Sequence, residues 1–427
     1  MSENNKQNFK QTFCPSPWLH MRIKNAGQFE YCRWASTKSQ QHNIQTTDPA
    51  DYFQHTMQPI RQALLSGNQP DGCHTCRNME QHNKVSGRQK QLLKIGVRLE
   101  HFEKTLASSP WMSEFVKSDC QQLPQDWQID LGNYCNGGCV FCGPESSSRL
   151  AQEWKKIGFI DSMPTPNWCD DPVLLAKFVD TLKKTPHIQY LHFIGGETVI
   201  TPAFKTILEA LIDAGLNRTA TIGFTTNLSV WRDDVVAMLE QFHSVNLGLS
   251  IESFDIVNDY VRWPVCLPTV FENLDRWQQI ANKNSWFMQF RTTPTCLTVH
   301  KLLPIYDYAL EHNIVVESCN FLYKPEIMKP SVLPIEYRQQ IIDDIQSWID
   351  QHAVDSETIV NIRNPNTIQA QLVQDLLSYM NYLRSEPDES HRLPELVMFL
   401  KRIEANRGNS VLTYLPEYEE LFRSAGY

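Results

Sequence analysis

The chain has 427 residues, which is enough for two or three domains or one elaborated barrel. Its hydrophobic fraction of 41% and charged fraction of 20% are typical of a soluble globular protein. The formal net charge of −9 argues against a nucleic-acid partner, because nucleic-acid binders usually present a basic face.

The polar first residues, MSENNKQNFKQTF, lack the apolar stretch of a secretory signal. No apolar run in the sequence approaches the roughly eighteen residues that a membrane helix needs. We therefore expect a cytoplasmic protein without a membrane partner. In a reducing compartment the twelve cysteines are not expected to form a disulfide framework, so clusters among them are interpreted first as metal ligands or catalytic thiols.

Four cysteines lie in the first eighty residues, in two separated groups. Cys14 and Cys32 come first, and Cys73 and Cys76 follow as the C-x2-C pair "CHTC". Four thiolates in two groups can close a complete metal site, which could hold either an iron–sulfur cluster or zinc. Because the C-x2-C pair is specific, four unrelated core cysteines are a weaker interpretation.

From about residue 125 the sequence alternates between short apolar strands and amphipathic helices. This alternation predicts βαβ units, a parallel sheet and right-handed crossovers. Strands are predicted over residues 127–132, 188–195, 219–227, 245–252, 286–293 and 314–318. Helices are predicted over residues 147–158, 172–185 and 202–215, and near 230–242.

Polar, Gly-rich or cysteine-bearing segments follow five of these strands: "CNGGCVFC", "GGET", "TTN", "SIES" and "RTTPTC". Chemistry in such folds collects at the carboxyl ends of the strands, so these loops predict an active site. Glu252, Tyr260 and Arg291 are further candidates for the reaction chamber because of their place near strand ends.

Beyond about residue 330 the pattern becomes helical, over residues 333–352, 368–384 and 393–408. We predict a C-terminal helical cap without evident chemistry of its own. The chain is therefore divided into a Cys-rich module (1–120), a barrel (121–328) and a helical region (329–427).

Cys135, Cys139 and Cys142 fall within eight residues directly after the first predicted barrel strand. Three thiolates can hold three irons of a cubane cluster and leave the fourth iron without a protein ligand. Zinc with a distant fourth ligand, such as Cys120 or Cys169, is the alternative, but structural zinc usually uses two separated pairs. The triplet therefore predicts a [4Fe-4S] cluster with one open iron.

The segment "CNGGCVFC" resembles the signature of the radical S-adenosylmethionine (SAM) enzymes, including the aromatic Phe141 before the last cysteine. In that family SAM binds the open iron of the cluster. Reduction of the cluster then splits SAM and gives a 5′-deoxyadenosyl radical that abstracts a substrate hydrogen. The resemblance implies an α/β fold with a partial (β/α)6 TIM-like barrel. It also implies a [4Fe-4S] cluster and SAM as cofactors, and a low-potential electron donor of the flavodoxin or ferredoxin type.

Gly195, Gly196 and Glu197 in "GGET" are similar to the family's GGEP motif, which meets the SAM amino group. Thr198 stands here in place of the usual proline. By itself a Gly-Gly pair indicates only a tight turn, but its position after the second strand favours contact with SAM.

Ser250 and Arg262 resemble the serine and the arginine that hold the SAM carboxylate in relatives. Paired N–H donors suit arginine to a carboxylate, although a solvated surface arginine is an equal alternative for Arg262. Asn227 lies where relatives have a third-strand "TNG", but Leu228 replaces the glycine and makes the match partial.

The N-terminal cysteines resemble the auxiliary-cluster segment of SPASM and twitch-type radical SAM enzymes, and Glu80, Ser86 and Arg88 occupy matching places. The resemblance covers about residues 13–325. It favours an auxiliary iron–sulfur cluster over zinc, as an electron relay or a structural centre. In most relatives this module follows the barrel, whereas here it precedes the barrel.

By analogy with SPASM and twitch relatives, we expect a peptide substrate and a cross-linking, dehydrogenation or epimerisation reaction. Cys296 is a candidate catalytic residue that could return a hydrogen atom to a substrate radical, although most single cysteines are small buried hydrophobes. A small molecule (an amino acid, sugar or nucleoside) is the alternative substrate. A non-catalytic scaffold with two zinc ions is the alternative of another class.

Overall fold

A computed structural model describes residues 3–35, 42–81, 85–117, 119–318, 321–322, 324–352 and 367–427. Among these residues no helix combines the length and the apolar character needed to cross a membrane.

One sheet of eight strands organises the fold, in the order β2-β1-β3-β4-β5-β6-β7-β8. All neighbours are parallel except β1 and β2, which pair antiparallel. The strands are β1 (His20–Ile23), β2 (Phe29–Glu30), β3 (Asp126–Asp130), β4 (Tyr190–Ile194), β5 (Thr221–Thr226), β6 (Ser244–Ser250), β7 (Phe287–Arg291) and β8 (Val315–Glu317). The sheet is open, so the predicted α/β class with a partial barrel is confirmed.

The six predicted barrel strands correspond to β3 through β8. The sequence did not indicate β1 and β2, because strands of four and two residues are too short to show a hydrophobic period. β1 pairs in parallel with β3, with His20 opposite Asp126. The N-terminal region therefore extends the barrel sheet directly.

Helices alternate with the barrel strands as the sequence predicted. Proline begins several of them, where its missing N–H costs nothing, and the Asp171 side chain accepts from two N–H groups at the start of one. These helices are Ser148–Lys156, Pro172–Lys183, Pro202–Asp213, Asp233–Leu239, Val257–Val261, Leu267–Asn284 and Leu303–Glu311.

The N-terminal region is built from helices of ten residues or fewer, whereas the C-terminal region contains helices of up to 18 residues together with short ones. The N-terminal helices are Glu3–Thr12, Ser16–Leu19, Pro49–Asp51, Gln58–Leu65, His74–Gln81, Gly87–Lys94, Phe102–Ala107 and Met112–Phe115. The C-terminal helices are Ile335–His352, Ile368–Ser385, Leu393–Arg407, Val411–Tyr414 and Glu419–Ser424. Single 3-10 turns are Asp71–Cys73, Leu99–His101, Trp168–Asp170, Thr198–Ile200, Leu216–Arg218, Val299–Lys301, Glu326–Met328, Pro330–Val332, Ser390–Arg392 and Pro416–Tyr418, and Tyr52–Thr56 is a π-helical turn.

The C-terminal helices cover the last strand of the open sheet. Helix Ile368–Ser385 packs against β8 and against helix Ile335–His352. The Asp375 carboxylate accepts hydrogen bonds from the backbone N–H and the hydroxyl of Ser318, directly after β8. The helical region thereby protects an edge strand that would otherwise expose unpaired backbone groups.

Candidate active site

The cysteine triplet lies in the loop between β3 and helix Ser148–Lys156. The loop backbone is tied to the segment after helix Val257–Val261: Gly138 N–H donates to the Trp263 carbonyl (2.6 Å) and Val140 N–H to the Val261 carbonyl (2.9 Å). The Ser147 hydroxyl caps the following helix and donates to the Gly137 carbonyl at 2.6 Å. These hydrogen bonds between protein groups stabilise the conformation of the cysteine loop.

All ten residues predicted for the SAM cluster and for SAM line one cavity of about 290 Å³ at the carboxyl ends of the strands. They come from four different strand ends and the segment after β6, so only the folded chain brings them together. They are Cys135, Cys139, Phe141, Cys142, Gly195, Gly196, Glu197, Asn227, Ser250 and Arg262.

The three thiols differ in their electrostatic surroundings. The hydrogen bond from Cys142 lowers the pKa of Cys139 to about 7 against the effect of burial, and the nearby Arg262 guanidinium adds to the lowering. Burial raises the pKa of Cys135 to about 12. Because the thiolate is the form that binds metal, each of these thiols would have to lose its proton on binding a cluster. No group of three Cys, His, Asp or Glu side chains in the described part of the chain is arranged to hold a single metal ion.

The "GGET" segment packs directly on the cysteine loop. Glu197 N–H donates to the Tyr134 carbonyl at 2.8 Å, and a Cβ at position 196 would lie only 2.2 Å from that same oxygen. Gly195 has a φ of +140°, in the region that favours glycine. The two glycines are therefore required by close backbone approach, which the sequence motif alone did not establish.

Glu197 is 1% exposed, and burial raises its pKa to about 7. Its Oε2 accepts from the Asn227 N–H at 2.6 Å, whereas its Oε1 has no hydrogen-bond partner among the described residues. A buried carboxylate oxygen without a partner is costly, and a cationic group of a ligand would satisfy it.

Arg262 is 7% exposed, so the alternative of a solvated surface arginine is wrong. It forms an ion pair with the buried Glu252, its Nη1 lies 3.9 Å from the Cys139 sulfur, and its guanidinium lies 5.4 Å from the Phe141 ring centre. Its Nε has no hydrogen-bond partner among the described residues. Glu252 is held in turn by the Thr293 N–H at 2.6 Å, which orients the pair.

These observations fit a [4Fe-4S] cluster and SAM. Three cysteines line the cavity together with Glu197 and Arg262, whose Oε1 and Nε atoms are buried and have no hydrogen-bond partner among the described residues. An amino acid moiety carries the complementary ammonium and carboxylate groups. Ser250 and Asn227 line the same cavity and add neutral polar groups to it.

A side chain of the C-terminal region contacts the cysteine loop, and the sequence did not predict this contact. Arg407, at the end of helix Leu393–Arg407, binds Glu153 through two hydrogen bonds (2.8 and 2.6 Å) and donates to the Gly138 carbonyl at 2.7 Å. Its guanidinium also lies 4.6 Å from the Trp263 ring centre. Because Arg407 and Gly138 are 269 positions apart, no local pattern could reveal this contact.

The four N-terminal cysteines also meet at one cavity, which Tyr31, Trp34 and Arg88 help to line. They are Cys14, Cys32, Cys73 and Cys76. Cys73 is partly exposed and the other three are buried; burial raises the pKa of Cys14 to about 12. The Tyr31 hydroxyl lies 3.5 Å from the Cys73 sulfur.

Glu80, Ser86 and Arg88 form one network beside these cysteines. The Glu80 carboxylate accepts from the Ser86 hydroxyl and from Arg88 at 2.9 and 2.7 Å. Arg88 also donates to the Phe13 carbonyl at 3.1 Å, directly before Cys14. The network therefore joins the helix that carries Cys76 to the segment that carries Cys14.

The structure does not bring Cys296 to the cavity of the cysteine triplet. Cys296 is fully buried, and its N–H donates to the Met328 carbonyl at 2.8 Å. Its position favours the interpretation as a small core residue over that of a hydrogen-atom donor. Of the other chamber candidates, Arg291 lines the cavity, Glu252 supports it through Arg262, and Tyr260 donates to Glu404 at 2.8 Å.

Residues 129–288 match the model of the Radical SAM superfamily, and no curated protein matches the chain. The chain is similar to the structure of SuiB from Streptococcus suis bound to S-adenosylmethionine (14% identity, 67% of this chain, 52% of SuiB, TM-score 0.33). It is also similar to anSMEcpe with bound AdoMet and Kp18Cys peptide (14% identity, 56% and 62% of the two chains, TM-score 0.38). A third is TsrM from Kitasatospora setae with cobalamin and a [4Fe-4S] cluster bound (13% identity, 44% and 33%, TM-score 0.31).

The chain thus spans about half the length of the SuiB structure that it matches. Residues 129–288 thus carry the sequence pattern of the Radical SAM superfamily, whose members use a [4Fe-4S] cluster and SAM. This match favours an enzyme over the non-catalytic zinc scaffold.

Proposed function

We propose that this protein is a radical SAM enzyme in which Cys135, Cys139 and Cys142 hold the cluster and the surrounding cavity holds SAM. The observation that carries the proposal is that all ten predicted residues line one cavity. When bound, the cluster supplies the electron that cleaves SAM to an organic radical, which removes a hydrogen atom from the substrate.

The protein residues bind and orient the amino acid moiety of SAM. The free Oε1 of Glu197 accepts from the SAM ammonium group, and the free Nε of Arg262 donates to its carboxylate. Glu252 and Thr293 hold Arg262 in place from behind. Since Glu197 and Arg262 are both buried, their charged hydrogen bonds to SAM form away from bulk water, where they are stronger.

We further propose that Cys14, Cys32, Cys73 and Cys76 hold an auxiliary iron–sulfur cluster. Their shared cavity and the supporting network around Arg88 favour one common centre. Ligation by four thiolates suits an electron relay or a structural role, since it leaves no iron open to substrate. Reduction of the SAM cluster is assigned to a flavodoxin or ferredoxin-type donor.

The proposed substrate is a peptide, modified by cross-linking, dehydrogenation or epimerisation. A chamber of about 1030 Å³ shares Arg291 with the cavity of the cysteine triplet, and its volume is at the upper end of the range for pockets that take small ligands. It therefore offers room for an extended substrate as well as for a small molecule.

Purification without oxygen tests this function. We expect brown protein with about eight irons per chain if both clusters are [4Fe-4S], and 5′-deoxyadenosine on addition of SAM and dithionite. The Cys139→Ala variant should form no 5′-deoxyadenosine, whereas Cys266→Ala, at an exposed cysteine outside both cavities, should match the unmodified protein. Colourless protein that contains zinc and leaves SAM intact would reject the proposal.

A further inference from the structure

A large chamber lies on the amino-terminal side of the barrel strands, opposite the cysteine triplet. Its volume is about 1030 Å³, and the first residues of several strands line it, among them Asp126, Tyr190 and Thr221. It shares Arg291 with the SAM cavity, and it shares Ser16 and Trp34 with the cavity of the four N-terminal cysteines. The chamber therefore shares lining residues with both cavities that contain the proposed cluster ligands.

Two glycines in the middle of the sheet allow large polar side chains to occupy the barrel interior. A Cβ at Gly223 would lie 2.2 Å from the Tyr190 hydroxyl oxygen, and a Cβ at Gly248 would lie 2.9 Å from the Arg291 Nε. The His192 Nδ1 lies 3.2 Å from the Tyr190 hydroxyl. Interiors of closed barrels are usually filled by branched apolar residues, so this polar lining indicates ligand binding and not a packed core.

Cationic side chains predominate around the chamber. Arg33, Lys90, Lys94 and Arg291 face two carboxylates, those of Asp126 and Glu317. The Asp126 carboxylate is paired with Lys94 at 3.2 Å and lies 3.4 Å from His20, while Glu317 lies 3.7 Å from Arg291.

Lys90 is exposed and, like Arg33, forms no ion pair among the described residues. Arg33 is the less exposed of the two, and its positive charge helps to lower the pKa of Asp126. Its Nε donates to the neutral Gln128 amide oxygen at 2.6 Å, and no carboxylate in the described part of the chain forms an ion pair with it. Burial and the charges of Arg33 and Arg291 lower the pKa of His192, which does not line the chamber itself but contacts the Tyr190 hydroxyl. The chamber thus combines a guanidinium that forms no ion pair among the described residues with neutral polar groups such as the Tyr190 hydroxyl.

We propose that this chamber binds the substrate through an anionic group, a carboxylate or a phosphate. Arg33 provides the main contact, and Arg291 contacts the substrate at the side nearer to the SAM cavity. The planar guanidinium of arginine offers the paired N–H donors that such oxyanions accept. The location beside the SAM cavity rests on the proposed function, whereas the binding of an anion rests only on the residues of the chamber.

Calorimetric titration of the anaerobically purified holoprotein in chloride buffer tests this inference. The probes are inorganic phosphate, N-acetylglycine and its neutral counterpart N-acetylglycinamide. We expect at least one of the two anions to bind and the amide not to bind, and the preferred anion identifies the substrate group.

The Gln128→Glu variant places a carboxylate where the Arg33 Nε now donates, at almost unchanged side-chain volume. It should weaken anion binding by about tenfold or more, because Arg33 is then neutralised within the protein. Arg33→Gln should give the same loss by removing the charge, so the test does not depend on one variant folding. Arg232→Gln is the control, since the Arg232 side chain is 40% exposed, pairs with Asp234 and does not line the chamber.

Absence of binding for both anions, equal binding of the amide, or unchanged affinity in the Gln128→Glu and Arg33→Gln variants would overturn the inference. Formation of 5′-deoxyadenosine by the unmodified protein is measured in parallel. If SAM is cleaved but the chamber variants bind anions normally, only this inference fails. If anions bind through Arg33 but SAM stays intact, only the proposed reaction fails.

Discussion

Arg407 connects the C-terminal helix Leu393–Arg407 to the cysteine loop, and the Arg407→Met variant tests how strongly this helix supports the cluster site. The substitution removes two hydrogen bonds to Glu153 and one to the Gly138 carbonyl while keeping a long apolar side chain. The side chains of Arg407 and Glu153 are only 1% and 5% exposed, so solvent does not replace the lost partner freely.

Removing one partner of a buried ion pair typically costs about 3–5 kcal/mol, because the other charge stays buried. Glu153 keeps one hydrogen bond, from the Asn406 amide at 2.9 Å, which places the expected loss at the lower end, at about 3 kcal/mol. The Glu153→Met, Arg407→Met double variant leaves no buried charge and should recover part of this loss.

Urea denaturation of anaerobically purified protein, followed by circular dichroism, measures these differences, and the iron content reports on the cluster loop. Arg423→Met is the matched control, since the Arg423–Glu419 pair is exposed (61% and 51%) and should contribute below about 0.5 kcal/mol. We also expect Arg407→Met to lose iron faster than this control. Equal stability and iron content in Arg407→Met and Arg423→Met would refute the reasoning, as would a double variant less stable than the single one.

Three further predictions concern the two cavities. Glu197→Gln should weaken SAM binding by about tenfold, because an amide oxygen pairs less strongly with an ammonium group than a carboxylate does; unchanged binding in equilibrium dialysis would contradict the assigned role of Glu197. Gly196→Ala should abolish formation of 5′-deoxyadenosine, because its Cβ would lie 2.2 Å from the Tyr134 carbonyl oxygen. Gly143→Ala is the control and should keep activity, because its Cβ would have no atom of the other described residues, apart from its chain neighbours, within 4 Å. Cys73→Ser should reduce the iron content from about eight to about four per chain while leaving the SAM cluster in place; an unchanged iron content would argue against an iron–sulfur cluster at the N-terminal cysteines.

The sequence alone predicted the elements and motifs whose signals are local. The alternation of strands and helices after residue 125 identified β3 through β8, because the periods of two and 3.6 residues extend over each element. The spacing of Cys135, Cys139 and Cys142 was enough to predict a [4Fe-4S] cluster with one open iron. The position of "GGET" after a strand predicted contact with SAM. The structure adds a physical reason for the close approach of this segment to the cysteine loop, which is its backbone contact with Tyr134.

Only the tertiary structure decided which distant residues meet. The contacts of Arg407 with Gly138 and of Arg33 with Gln128 join positions 269 and 95 residues apart, and such contacts leave no pattern in a single sequence. Burial likewise depends on the whole fold: Arg262 is buried at the cavity of the cysteine triplet, whereas Cys296 is buried outside that cavity. Local sequence thus determined the strands, the helices and the residue types of the candidate site. Long-range packing determined which of these residues are buried and how far apart they lie.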